Sequence, residues 1–152
     1  MNDRYLYRAK RKNWRELPKE MWWVEGYYAY FKQNDNHCIY YETDGFTLVC
    51  DIDISTLCAC TGLKDKNGKL IWENDIVRFQ FDNDDCQFMN KDTKKRVGKV
   101  FFSDFRASWS IAMGRKGSKE INNDLFRYVQ NGNRVEVIGS AIDNPELLEV
   151  GE

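Results

Sequence analysis

The sequence predicts an all-β (mainly β) protein with short helical turns only. Short segments with alternating apolar and polar residues recur at near-regular spacing, and turn residues separate them. Aromatic residues make up 14% of the chain against two prolines, which is typical of strands with large side chains packed between them. No segment of ten or more residues carries a convincing helical pattern. These observations together predict a β barrel or sandwich.

The first 60 residues predict an N-terminal β-meander, over 1–60. Four strands joined by turns are expected there, at residues 4–9, 21–31, 37–42 and 46–52. In the second of these strands Tyr28 and Tyr30 share one face, whereas Tyr27 lies on the other. Because both faces carry aromatic side chains, this strand is expected either to be central or to be covered by a partner surface.

A tight turn organises the second half of the chain. Asn67-Gly68 predicts a type I′ hairpin turn, since both residues accept the positive φ that this turn requires. The charged residues around it are expected to keep the turn in water: Lys64, Asp65, Lys66 and Lys69. After the turn, residues 75–81 predict a half-buried strand with Val77, Phe79 and Phe81 on its apolar face.

Residues 61–152 predict an SH3-like β-barrel unit. Further strands are expected over 96–102, 107–113 and 134–138, while 121–130 fits either a strand or a short helix. In small SH3-like barrels an Asp-Ile-Val strand comes early, a hairpin follows, and a Val-Ile-Gly strand closes the unit. That order is the order found here, although it concerns shape and transfers no activity. The two halves could also pack as one domain over 1–152.

The turn is part of a longer pattern. Residues 61–69 read Thr-Gly-Leu-Lys-Asp-Lys-Asn-Gly-Lys, and residues 71–77 read Ile-Trp-Glu-Asn-Asp-Ile-Val. This pattern resembles the signature of the YopX family, small proteins carried by bacteriophages and prophages, and segments near both ends of the chain also fit. The resemblance implies a YopX-like fold and a phage or prophage origin. It implies no established biochemical activity.

The chain departs from the family pattern at two places. Asn74 stands where the pattern has glycine, and Asn is the side chain that best tolerates a left-handed backbone. We therefore expect a positive φ at Asn74. Ala59 and Cys60 replace a usual Gln-Tyr pair, so a recognition role of that tyrosine is not expected in this chain.

Composition argues against several classes of protein and site. The formal net charge is −1, and no apolar run approaches the roughly 20 residues of a membrane helix, so we expect a cytoplasmic protein of the bacterial host cell with no membrane contact. Five cysteines, an odd number, predict free thiols. The single histidine, His37, stands beside Cys38 and supports neither a zinc ligand set nor a catalytic pair. We expect no enzymatic activity, no catalytic residue, no metal and no cofactor.

These expectations favour a non-catalytic binding or interaction module. Its partner would be an unidentified host or phage protein, and its many strand edges favour a homo-oligomer. The alternative is a nucleic-acid-binding accessory protein that stacks bases on aromatic rings and contacts phosphate through basic side chains. The candidates are Tyr27, Tyr28 and Tyr30 with Trp22 or Trp23 for stacking, and Arg8, Arg11, Lys12, Lys94, Lys95 and Arg96 for phosphate. The aromatic residues equally fit a structural role in the core, which is the interpretation that the sequence favours.

Overall fold

The computed structural model describes residues 3–80, 95–113, 124–130 and 132–148, and it confirms that the protein is mainly β. The strands are β1 (Tyr7–Lys10), β2 (Trp23–Phe31), β3 (Asn36–Thr43), β4 (Phe46–Asp51), β5 (Cys58–Lys64), β6 (Leu70–Trp72), β7 (Asp75–Gln80), β8 (Lys95–Ser103), β9 (Ser108–Met113) and β10 (Val135–Ser140). The described residues contain one α-helix, α1 (Leu125–Gln130). Short 3-10 helices cover Asp3–Tyr5, Trp14–Glu16, Lys19–Met21, Ile54–Thr56 and Pro145–Leu148.

Two compact units make up the chain, Met1–Gly62 and Leu63–Glu152. In the first unit β1 to β4 pair antiparallel in turn and β5 pairs antiparallel with the other side of β1, which gives the sheet order β4-β3-β2-β1-β5. The first strand begins later than predicted, because a 3-10 helix occupies the start of the expected strand at 4–9. One face of this sheet carries the core of the unit, built from Ala9, Val24, Ile39 and Ile52.

The close pairing of β2 and β3 depends on a glycine. A Cβ built at Gly26 would lie 2.0 Å from the carbonyl oxygen of Tyr40, a backbone atom that cannot rotate away. Glycine therefore allows an approach that any other residue would prevent. Next to Gly26, Tyr27 pairs with Tyr40 and Tyr28 pairs with Ile39, which continues the antiparallel register of the two strands.

In the second unit, four strands form an antiparallel sheet in the order β10-β7-β8-β9. Sequence-neighbouring strands β7, β8 and β9 pair in turn, and β10 returns to the free side of β7. For 121–130 the sequence left a strand and a short helix open, and the structure has the helix α1 there. Residues 121–123 lie outside the described residues. The core is Ile71, Val77, Phe79, Val100, Ile111, Leu125, Tyr128 and Val135.

Strand β7 is buried more deeply than its alternation predicts. Val77 and Phe79 are buried, as expected for the apolar face, but Ile76 on the opposite face is buried as well. Asp75 at the start of the strand is 1% exposed, and its carboxylate accepts a hydrogen bond from the backbone N–H of Trp72 at 2.8 Å. This carboxylate closes the turn between β6 and β7.

The hairpin turn at Asp65–Lys69 is not the predicted type I′ turn. Gly68 has a φ of 80°, but Asn67 is not among the residues with positive φ. Gly68 N–H donates to the Asp65 carbonyl at 3.0 Å, and Asp65 N–H donates to the Lys69 carbonyl at 2.8 Å. This pattern is that of a three-residue loop, in which a type I turn is followed by a glycine in the left-handed region.

The physical reason for the different turn is the side chain of Asp65. Its Oδ1 accepts hydrogen bonds from the backbone N–H groups of Asn67 and Lys69, both at 2.9 Å, and its Oδ2 accepts one from Val137 at 3.0 Å. Asp65 is 3% exposed, so the expectation that it keeps the turn in water is wrong. The carboxylate holds the turn against β10.

Asn74 has a φ of 68°, the positive value that the sequence predicts. Its backbone N–H donates to Val100 at 2.8 Å, and its carbonyl accepts from Ala141 at 2.7 Å. The left-handed residue thereby ties the turn between β6 and β7 to β8 and to the residue after β10. Within the described residues, no helix has the length and apolar character needed to cross a bilayer.

Candidate functional site

The three tyrosines predicted to stack on bases do not form one platform. The hydroxyl of Tyr28 lies 2.6 Å from His37 Nδ1, and the ring of Tyr30 stacks on the same imidazole with centroids 4.5 Å apart. The hydroxyl of Tyr30 donates to Asp35 at 2.7 Å. Tyr27 lies on the other face of β2, opposite Tyr40. The side chains of Tyr28 and Tyr30 are therefore engaged in contacts within the first unit.

The predicted phosphate-binding cations of the first unit are also engaged in internal contacts. The Arg8 guanidinium lies 5.0 Å from the ring centroid of Trp23. Arg11 lies 5.6 Å from the Tyr41 ring, and its Nε donates to the Met21 carbonyl at 3.0 Å. Lys12 is exposed. Because Arg8 lies opposite Glu25, it shares one face of the sheet with Tyr27, whereas Tyr28 and Tyr30 lie on the other face.

A buried lysine among tryptophans is the main feature of the first unit that the sequence reading missed. Lys10 is 3% exposed, and its Nζ lies 4.0 Å from the ring centroid of Trp14 and 4.4 Å from that of Trp22. The indole N–H groups of these rings donate to Asp53 and to the carbonyl of Leu17. The arrangement is an internal cation–π cluster, and its cation comes from β1 itself.

A basic pocket of about 270 Å³ opens on the second unit. The residues that line it come from the hairpin turn, from β7, from the first residue of β8 and from the start of β10. They are Lys66, Arg78, Phe79, Gln80, Lys95, Gly132, Asn133, Arg134 and Glu136. Lys95 is the one predicted phosphate contact among them, whereas Arg96 is not in the lining and Lys94 lies outside the described residues.

Strand pairing brings the charged side chains of the pocket together. Glu136 of β10 lies directly opposite Arg78 of β7, and Gln80 of β7 lies opposite Lys95 of β8. Alternation in a strand places residues two apart on one face, so Arg78 and Gln80 point to the same side as Glu136. Lys66 reaches this face from the hairpin turn. The backbone N–H of Lys66 donates to the Val135 carbonyl at 2.8 Å.

One carboxylate is held between two of the cations. Lys66 Nζ lies 2.8 Å from Glu136 Oε2, and Arg78 Nη1 lies 3.6 Å from Glu136 Oε1. The hydrogen bond from Lys66 lowers the pKa of Glu136, and the positive charges of Arg78 and Lys95 lower it further. The lining therefore contains four cationic side chains and one ionised carboxylate, for a net charge of +3.

Arg134 contributes to the pocket from the segment before β10. Its guanidinium lies 5.4 Å from the ring centroid of Tyr128, a core residue of α1, and its backbone N–H donates to the Tyr128 carbonyl at 3.0 Å. The backbone N–H of Gln80 donates in turn to the Arg134 carbonyl at 3.3 Å. These contacts hold the cationic wall of the pocket to the core. The two guanidinium and two ammonium groups of this lining suit an oxyanion ligand, either a carboxylate or a phosphate.

The thiols lie apart from this pocket. Cys38, Cys58 and Cys60 are buried, Cys50 is half-buried, and none of these four forms a disulfide. Burial raises the pKa of the Cys38 and Cys60 thiols, which disfavours the reactive thiolate. In the part of the chain that the structure describes, no group of three or more His, Cys, Asp or Glu residues could hold a metal ion. Cys86 lies outside that part.

Comparison with known proteins gives one family and a distant structural likeness. A family model described as YopX protein matches residues 6–149. A crystal structure of protein EF1440 from Enterococcus faecalis is similar over 93% of this chain and 96% of that chain, with 18% sequence identity and a TM-score of 0.48. No curated protein matches the chain.

Proposed function

We propose that this chain, which belongs to the YopX family, is a non-catalytic binding protein that captures an acidic segment of a phage or host protein. The observation that carries the proposal is the basic pocket of the second unit, with its net charge of +3 in a lining that includes Lys95. We place the protein in the bacterial cytoplasm, encoded by a phage or prophage.

An acidic protein segment fits the pocket better than nucleic acid does. The pocket already accommodates a carboxylate, that of Glu136, between Lys66 and Arg78. The chain as a whole carries a formal net charge of −1, whereas nucleic-acid-binding domains normally have an excess of basic residues. A ligand with a few Asp or Glu side chains would meet the remaining positive charge of the lining at short range, where complementarity of charge gives specificity.

The proposal is tested with a fluorescein-labelled glutamate-rich peptide and a neutral peptide of equal length. We expect fluorescence anisotropy to show binding of the acidic peptide alone, weakened by salt because the contacts are ionic. Lys95→Glu should weaken binding roughly tenfold or more, which corresponds to about 1.4 kcal/mol. Lys32→Glu carries the same change of charge in the exposed turn between β2 and β3, and it should bind like the original chain. Absence of binding at low salt, or equal effects of the two variants, would contradict the proposal.

The alternative is an accessory protein that binds single-stranded nucleic acid at the same pocket. The observation in its favour is that the guanidinium groups and the side-chain amides of Gln80 and Asn133 are able to hold phosphate as well as carboxylate. Short single-stranded DNA and RNA are therefore included in the assay at two salt concentrations. If they bind more tightly than the acidic peptide, and Lys95→Glu weakens them, the alternative replaces the protein-partner proposal.

We also propose that the protein self-associates through β4 of the first unit. This strand stands at the end of the sheet order, and its side chains Phe46, Leu48 and Val49 are exposed. Antiparallel pairing of β4 with the same strand of a second copy would cover both edges at once under two-fold symmetry. Light scattering should give twice the chain mass of 18.0 kDa at micromolar concentration, and Val49→Lys should return it to the monomer value. A monomer for both chains would remove this proposal.

A further inference from the structure

We infer that Glu136 is an internal competitor in the basic pocket. Its carboxylate pairs with the cations that an acidic ligand must reach, and this pairing keeps the affinity for the ligand low. The inference rests on the proposed function, since it assigns a regulatory role within the same site. An ordinary ion pair between strands only stabilises their pairing, whereas Glu136 also limits the binding of the ligand. Its carboxylate stands where a ligand carboxylate would bind.

The geometry of the ion pairs allows exchange with a ligand. The Glu136 side chain is 29% exposed, and its partners Lys66 and Arg78 are 42% and 43% exposed, so all three charges are accessible from water. Glu136 satisfies Lys66 at 2.8 Å, but at 3.6 Å from Arg78 it is too distant for a hydrogen bond. Arg78 is therefore positioned to accept a second oxyanion without first losing a hydrogen bond to Glu136.

Charge in the pocket explains why Glu136 opposes binding. Its carboxylate repels an incoming carboxylate and also holds the Lys66 ammonium in an ion pair at 2.8 Å. Because the surrounding cations lower the pKa of Glu136, it remains ionised through the neutral and mildly acidic range. The competitor is thus charged at neutral pH, where the carboxylates of the ligand are charged as well.

Loss of Glu136 should leave the fold intact. The ion pairs lie at the surface, where such pairs contribute little to stability. The backbone of β10 is held independently, by its pairing with β7 and by the hydrogen bond from Val137 N–H to Asp65. A variant at Glu136 is therefore suitable for measuring binding, with thermal unfolding as a check that the chain is folded.

The test is Glu136→Gln, which keeps the size of the side chain and removes its charge. Glu42→Gln makes the same change of net charge on β3 of the first unit and serves as the matched control. We expect Glu136→Gln to bind the labelled glutamate-rich peptide roughly five- to tenfold more tightly than the original chain. Glu42→Gln should leave the affinity unchanged. A steeper dependence on salt is also expected for Glu136→Gln, because more cations are free to contact the peptide.

The outcomes separate this inference from the function on which it rests. If the original chain binds the acidic peptide and Glu136→Gln binds equally or more weakly, Glu136 is a bystander or a positioning residue, and the inference is overturned. If no variant binds the peptide, the proposed function itself fails. Glu136→Ala is measured alongside, and its affinity must rise as well, since competition requires only that the carboxylate be absent. A gain confined to the Gln variant points to a new amide contact and also overturns the inference.

Discussion

The two units of the chain use their positive charges in different ways. In the first unit, Arg8 and Lys10 lie over tryptophan rings at 5.0 and 4.0 Å, so these cations belong to the packing of the sheet and its 3-10 helices. In the second unit, Lys66 and Arg78 converge with other cations on one carboxylate at the mouth of a pocket. The first arrangement stabilises the fold, and the second leaves positive charge available to a ligand. A count of basic residues does not distinguish the two.

Carboxylates differ between the units in a parallel way. Asp65 of the second unit is buried and accepts hydrogen bonds from Asn67, Lys69 and Val137, the last of which is 72 residues away along the chain. The largest effect is therefore expected for Asp65→Ala, which leaves three backbone N–H groups without their acceptor where water has little access. We expect a loss of roughly 3–5 kcal/mol in the free energy of unfolding, measured by urea denaturation.

Asp53→Ala in the first unit is the matched comparison for Asp65→Ala. Asp53 also accepts three hydrogen bonds, but two come from the adjacent Ser55 and one from the Trp14 indole at 3.2 Å, and the carboxylate is only half-buried. Its role is to cap the 3-10 helix Ile54–Thr56, so its removal should cost about 1 kcal/mol. Equal losses of unfolding free energy for the two variants would show that the long-range hydrogen bond of Asp65 stabilises the fold no more than a local cap does.

The same contrast explains which parts of the fold are predictable from sequence. Hairpin strands such as β3 and β4 follow from local alternation and adjacent turn residues, and the positive φ of Asn74 follows from its side chain. The burial of Asp65 does not follow, because it depends on the pairing of β10 with β7, which brings Val137 to Asp65 from 72 residues away. Without that pairing, a charged residue in a polar turn is correctly expected to be solvated.

Backbone strain gives a second, smaller comparison. Asn74 and Asp44 both have positive φ, 68° and 48°, but Asn74 is tied by backbone hydrogen bonds to Val100 and Ala141, whereas Asp44 stands at the exposed tip of the hairpin between β3 and β4. The left-handed region is unfavourable for a β-branched residue by about 1–2 kcal/mol. We expect Asn74→Val to lower the free energy of unfolding by most of that amount, as measured by thermal unfolding. Asp44→Val should lose less, since its turn is free to change shape.

A comparable loss for both positions would mean that the hairpin tip is as constrained as the turn between β6 and β7. Asn74→Gly is the control for the backbone, since glycine accepts φ of 68° without strain. If Asn74→Gly is as destabilising as Asn74→Val, the side chain of Asn74 contributes the stability and the backbone conformation does not.

The candidate site was less accessible to sequence reasoning than the fold. Arg8 and Arg11 are attractive as phosphate contacts because they cluster in the sequence, yet each lies over an aromatic ring. The pocket residues Lys66, Arg78 and Glu136 are separated by up to 70 positions and meet only because β10 pairs with β7. Their alternation on outward-facing positions is visible in each strand, but the pairing that brings them together is a long-range property.

A comparison of two lysines distinguishes the two kinds of cation directly. Lys10→Met keeps the apolar length of the side chain between Trp14 and Trp22 but removes its charge, so the loss should be about 1–2 kcal/mol of cation–π attraction. Lys95→Met at the exposed start of β8 should stay within about 0.5 kcal/mol of the original stability. Urea denaturation followed by tryptophan fluorescence measures both, and anisotropy with the acidic peptide should give the opposite order. If Lys10→Met weakens peptide binding as much as Lys95→Met does, the cations of the two units are not divided between structure and binding in the way their geometry indicates.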